Sequence, residues 1–184
     1  MILYHFTTPA NAMLIASDGL RMNVKHYNAL MTGGIPVVWL TRQQSNITTA
    51  DDLRFMKTLK PDLDGKVGDL SFGGNARLSV QVERHNKKLV RYTDFLDRCG
   101  REGAKEILTL TARNNWYVYL GDIPPHKVDT SMPASLMIEC FEWHISTHGS
   151  LEARVDFRRH LDRLVTLPPD TPVHFSVERE LADA

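Results

Sequence analysis

The sequence predicts an α+β fold, and three observations carry that reading. Short runs rich in β-branched and aromatic residues recur along the first two-thirds of the chain, helix-capping signals lie between them, and residues 134 to 165 carry apolar positions at helical spacing.

The first strand is expected over Ile2 to Phe6. Thr8 then offers an N-cap with Pro9 at the first helical position; Ala12, Met13, Ile15 and Ala16 supply an apolar face, and Gly19 after Asp18 is the expected stop. In MTGGIPVVWLTRQ, Gly33, Gly34 and Pro36 punctuate the approach to a β-rich run from Val37 to Thr41. The polar stretch that follows, with its repeated Asp-Gly and Gly-Asp turns, reads as a long loop carrying a short helix after Thr49. RLSVQV, Arg77 to Val82, alternates polar and apolar as a half-buried strand does. Thr93 is the expected cap of a helix through DFLDRCGREGAKEILTL, in which Gly100 and Gly103 are weak points. The turn ARNN leads into WYVYLGDIPP, a strand ended by two prolines. Helices are then expected on both sides of THGS, with a last short strand in PVHFSVERE. Residues 1–130 form the expected core; residues 131–184 form a helical extension packed on it, because Leu136, Ile138, Phe141, Leu151, Val155 and Leu161 need a surface to bury against.

A chain of 184 residues fits one domain. Its 22 basic and 22 acidic residues cancel, so no overall field draws in nucleic acid or an anionic membrane. Cys99 and Cys140 match neither a disulfide framework nor a paired-cysteine zinc site, which favours a reducing compartment with the cytoplasm as the default. Neither a signal peptide nor an 18-residue apolar run is found, so no membrane span is expected. Glycine-rich phosphate loops, Gly-x-Ser-x-Gly elbows and helical His-Glu zinc motifs are missing, which sets aside the enzyme classes built on them.

One residue stands out against this background. His5 places an imidazole inside the apolar strand LYHFTTP. Taken alone it is either a core histidine bonded to a neighbouring carbonyl or a ligand-binding group.

LYHFT, a helix ending in Gly-Leu, VVWLT, RLSVQV and WYVYLGDIPP, in that order, resemble the ADP-ribosyltransferase-like fold. The likeness covers residues 2 to 128 and is greatest to RNA 2′-phosphotransferases and DNA-targeting ADP-ribosyltransferase toxins. It implies a split, mainly antiparallel sheet and NAD as a substrate, with ADP-ribose passed to a macromolecular acceptor, protein or nucleic acid. Such chemistry cleaves the nicotinamide–ribose bond through an oxocarbenium-like transition state, so a site must hold the ribose, stack the leaving ring and stabilise positive charge. By resemblance, His5 bonds a ribose hydroxyl and the backbone beside Phe6 and Thr7 meets the nicotinamide amide. Trp39 and Thr41 fall on the second NAD-lining strand, Trp39 either packing inward or flanking the cofactor. Tyr27, with His26 as a competitor, is placed to stack the nicotinamide. Arg77 is placed to hold a pyrophosphate or substrate phosphate, and Asp122 to orient an acceptor.

The chain also departs from that pattern. WYVYLGDIPP has no glutamate of the kind the DNA- and protein-targeting relatives place on a late strand, and Asp122, the nearest carboxylate, can equally terminate the strand. A catalytically silent binding or scaffold protein of the same fold is therefore the alternative. Cys140, His144 and His148 share a helix face if the helix continues, but a fourth zinc ligand is not evident, so no metal is expected. RHNKK with Arg91, and RVDFRRHLDR, are locally basic and read as solvated surfaces.

Overall fold

The computed structural model describes residues 1–22, 32–43, 76–100, 110–148 and 151–175. Strand β1 is Ile2–Thr7 and helix α1 is Pro9–Asp18. The boundary between them follows from local chemistry: Thr8 is extended, its Oγ1 accepts the Asn11 N–H at 3.3 Å, and Pro9 starts the helix where no N–H is needed. Gly19 ends the helix at φ 76°, its N–H donating to the Ile15 carbonyl at 2.8 Å. Leu20 then exchanges two backbone hydrogen bonds of 2.9 Å with Ile123, and a Cβ on Gly19 would collide with the Ile123 carbonyl oxygen.

Strand β2 is Val38–Thr41, β3 is Ala76–Gln81 and β4 is Leu89–Arg91. Helices α2, Tyr92–Arg98, and α3, Leu110–Asn115, precede β5, Trp116–Tyr119. A 3-10 turn at Pro125–Lys127 leads to β6, Val128–Asp129, and β7, Ser131–Pro133. Helices α4, Ala134–His148, and α5, Leu151–Leu164, precede β8, Pro172–His174. The main sheet has the order β4-β5-β2-β1-β3-β6, and β7 and β8 form a separate two-stranded ribbon. Every pairing among these strands is antiparallel. The class is α+β with an antiparallel six-stranded sheet.

Strands β4, β6 and β7, helix α2 and the segment ARNN differ from expectation. Strand β4 was not foreseen, because three residues give no periodicity to read; it exists by pairing Leu89 with Tyr119 and Arg91 with Tyr117 on β5. Helix α2 begins at Tyr92 rather than at a Thr93 cap, and Arg91 in the cap position makes no side-chain capping bond. Burial drives this start: Tyr92, Phe95 and Leu96 are all buried on one face. The helix stops at Gly100, at φ 65°, whose N–H reaches the Asp97 carbonyl; the remainder of the expected helix, 101–109, lies outside the described residues. ARNN is the end of α3 rather than a turn.

The sheet is apolar on both faces. On one, Val90, Trp116 and Val118 pack with Trp39 under Tyr92, Phe95 and Leu96 of α2. Trp39 meets Tyr92 edge-on at 4.8 Å and Trp116 at 5.9 Å, arrangements favoured by the ring quadrupoles. On the other, Leu3, Val38, Leu40 and Val80 pack against Leu20 and Ile123. Ala76 and Leu78 continue that face against Ala12 of α1 and Met137, Cys140 and Phe141 of α4. No helix among the described residues is long and apolar enough to cross a membrane.

Gly19 and Gly34 both have positive φ, at 76° and 83°, but open space surrounds Gly34. Both alanine substitutions incur backbone strain, and Gly19→Ala adds a steric collision. It is expected to destabilise by about 1–3 kcal/mol more than Gly34→Ala in urea unfolding. Equal losses would show that the Gly19–Ile123 approach relaxes freely.

Candidate functional site

The six residues of β1 pair along their full length with β3, from Ile2↔Gln81 to Thr7↔Ala76. With β2 they make a single pair, Tyr4↔Thr41. Beyond that pair β2 stays in register with β5, Val38↔Tyr119 through Thr41↔Trp116, while its ladder with β1 ends. The sheet is thus open between β1 and β2 alongside His5, Phe6 and Thr7.

His5 spans this opening. Its Nδ1 lies 2.9 Å from the Trp39 carbonyl oxygen, so a side chain ties the strands where the backbone ladder does not. A carbonyl only accepts; Nδ1 therefore carries the hydrogen, and in the neutral ring Nε2 is an acceptor. Half-buried His5 alternates with buried Leu3 and Thr7 and faces Leu78 across the β3 ladder. Phe6, half-buried, leaves the opposite face.

Thr41 does not join His5 in one cleft. Its pairing with Tyr4 puts it on Tyr4's face, and successive side chains alternate, so His5 and Thr41 leave the sheet on opposite sides. The Thr41 hydroxyl instead accepts the Gln43 N–H at 3.1 Å and closes the turn after β2. Trp39 packs inward: its ring belongs to the α2 cluster and its Nε1, buried, has no hydrogen-bond partner. The Trp39 contribution to the opening is its backbone carbonyl.

Arg77 is the second residue of β3, because Ala76 already pairs with Thr7. It stands opposite Phe6, and its guanidinium carbon lies 5.3 Å from the centroid of the Tyr4 ring. Arg77 therefore shares a face with Tyr4, Phe6 and Thr41, away from His5. Tyr27 and His26 lie outside the described residues.

Asp122 forms a latch. Its carboxylate accepts the Met22 N–H at 2.8 Å and an Arg21 N–H at 3.1 Å, beside the Leu20–Ile123 backbone pair. The Met22 bond first, and then the Arg21 guanidinium, hold its pKa below the ordinary 3.8. The latch fixes where the chain leaves α1 toward residues 23–31. Its partners are 101 residues apart, and nothing local in either segment announces the contact.

Cys140 faces the core between α4 and its neighbours. Burial, and secondarily Glu139, push its thiol up to about 12, the opposite of what a zinc ligand requires. The His144 and His148 side chains lie outside the described residues. Among the described residues no group of three or more His, Cys, Asp or Glu is placed to hold a metal ion.

No family model, curated protein or solved structure matches the chain.

Two outcomes follow from this geometry. A carboxyl with a depressed folded pKa stabilises fully above its unfolded value and loses that contribution as pH falls through the folded value. The stability gap between wild type and Asp122→Asn should therefore be constant at neutral pH and shrink once pH drops below 3.8, read by urea unfolding across pH. A gap independent of acid would remove the carboxylate charge from the latch. For Cys140, iodoacetamide at mildly alkaline pH is expected to spare the thiol in the native protein and label it after unfolding, as read by mass spectrometry. Rapid native labelling would mean that the α4 face opens.

Proposed function

We propose that the chain is an NAD-dependent ADP-ribosyltransferase, cleaving the nicotinamide–ribose bond and passing ADP-ribose to a macromolecular acceptor. The observation that carries it is His5, anchored through Nδ1 at the opening between β1 and β2 with Nε2 as an acceptor. An imidazole held in this way accepts a hydrogen bond from a ribose hydroxyl without reorganising, which is the requirement for stabilising an oxocarbenium-like transition state. The motifs that carry the family likeness also supply β1, β2, β3 and β5, four contiguous strands of the sheet. On this proposal the backbone of Phe6 and Thr7 at the opening meets the nicotinamide amide. Arg77 and Thr41, on the other face, do not contact the same ribose. A cytoplasmic setting belongs to the proposal and is in keeping with two free cysteines.

One observation favours a second reading, a silent member of that fold that binds without catalysis. Asp122, the carboxylate nearest the end of β5, is engaged by Arg21 and Met22.

Nicotinamide release from NAD separates the two. Release by wild type, with a loss of about 10²–10³ in rate for His5→Ala, is expected of the enzyme. Because His5→Ala also removes the donor to the Trp39 carbonyl, worth about 1 kcal/mol, its fold is checked by circular dichroism and unfolding. NAD binding by calorimetry without release would select the silent protein. Release unchanged in a folded His5→Ala variant would exclude the role given to His5.

A further inference from the structure

We infer that the turn between β3 and β4 is a docking surface for the phosphate backbone of a nucleic acid. The chain is neutral overall, yet Arg84, Lys87, Lys88 and Arg91 place four positive charges in eight residues, with no acid between Glu83 and Asp94. All four are exposed, as is His85. None of the four forms an ion pair among the described residues. Among the described residues, Arg84, Lys87 and Arg91 are left without a salt-bridge partner, while Lys88 shares its field with Asp122 without forming an ion pair.

The base of the patch is built. The Asn86 N–H donates to the Glu83 carbonyl at 3.1 Å, the Leu89 N–H to the Asn86 carbonyl at 2.9 Å, and the Asn86 side-chain oxygen accepts the Lys88 N–H at 2.9 Å. The Leu120 N–H ties the turn to the end of β5 by donating to the Lys88 carbonyl at 2.9 Å. The cations therefore project from an ordered backbone, and less ordering entropy opposes binding than on a loose tail. Lys88 lies across Gly121, where a Cβ would stand 3.0 Å from its Nζ. The patch thus abuts the corner from which Asp122 latches Arg21 and Met22.

The surroundings select the partner. Anionic membrane binding gains from an apolar group that inserts, and none of the exposed large apolar side chains among the described residues lies in this turn. Stable protein interfaces centre on buried aromatic or aliphatic anchors, and the exposed residues of the turn offer none. A phosphodiester chain needs only spaced cations. The surface names the acceptor class left open by the proposed transferase; only its role as an acceptor site rests on that activity, since binding stands apart from it.

The test is fluorescence anisotropy with the full chain and labelled single-stranded DNA or RNA of about 20 nucleotides, across about 50–200 mM salt. Saturable binding is expected, with log K falling against log salt at a slope of about −3 for four contacts. The doubly reversed variant R84E/K87E, which leaves Lys88 beside the latch untouched, should bind at least about tenfold more weakly at low salt and halve that slope. R84Q/K87Q, which adds no acid, should show a smaller loss in the same direction. The DNA and RNA arms distinguish the two sources of the same backbone. Absence of binding to both, affinity indifferent to the substitutions, or equal binding to phosphatidylglycerol vesicles would overturn the inference. Nicotinamide release without acceptor is measured in parallel and should be the same for R84E/K87E as for wild type. A failed transferase thus remains distinguishable from a failed docking surface.

Discussion

The architecture depends on how β1 is held to β2. On one side of that junction β4, β5 and β2 pair and bury Trp116, Val118 and Val90 under α2. On the other, β1, β3 and β6 pair, with Ala76 and Leu78 buried against α1 and α4. Between them the backbone contributes one residue pair, Tyr4↔Thr41, and the His5 imidazole contributes a bond to the Trp39 carbonyl. An isolated hydrogen bond is worth only about 1 kcal/mol. Most of the cohesion between the halves must therefore come from the packing of Leu3, Val38, Leu40 and Val80 across the junction. The junction is therefore held more by side-chain packing than by backbone hydrogen bonds.

A second tie acts at the chain segments rather than the strands. The Leu20–Ile123 backbone pair and the Asp122 latch bind the exit of α1 to the segment after β5. Gly19 is required there for two independent reasons, a positive φ and the close approach of the Ile123 carbonyl. The ion pair is largely exposed, 68% for the Arg21 side chain and 46% for Asp122, so its Coulombic gain is small. Its value is positional. The Met22 N–H bond is directional, and it sets the course on which the chain leaves toward residues 23–31.

How far the sequence could be read depended on the range of the interactions involved. The Thr8–Pro9 cap, the Gly19 stop and the alternation in RLSVQV are encoded within a few residues, and they appear where expected. Helices α4, up to His148, and α5, from Leu151, likewise lie on the two sides expected around THGS. Strand β4 and the Asp122 latch are products of partners far along the chain, so no local pattern carries them. The faces of His5 and Thr41 fall between these cases. Each residue was legible as a polar group on a strand, but their relative side depends on strand register, and a slip of one residue reverses it. Motif order gives strand order; it does not give register.

For the same reason the two roles considered for His5 are not rivals. A core histidine bonded to a carbonyl and a ligand-binding histidine compete only if they need the same nitrogen. Here the Trp39 carbonyl engages Nδ1, and that bond selects the tautomer in which Nε2 accepts. Without the carbonyl, either tautomer would be available and the ring could turn about its side-chain torsions. With it, orientation and proton position are set before any ligand arrives. On the transferase proposal, the structural bond at this position is also what orients the ring for chemistry, so a residue that keeps the Trp39 contact without a second ring nitrogen would preserve the tie between the strands and lose the proposed role.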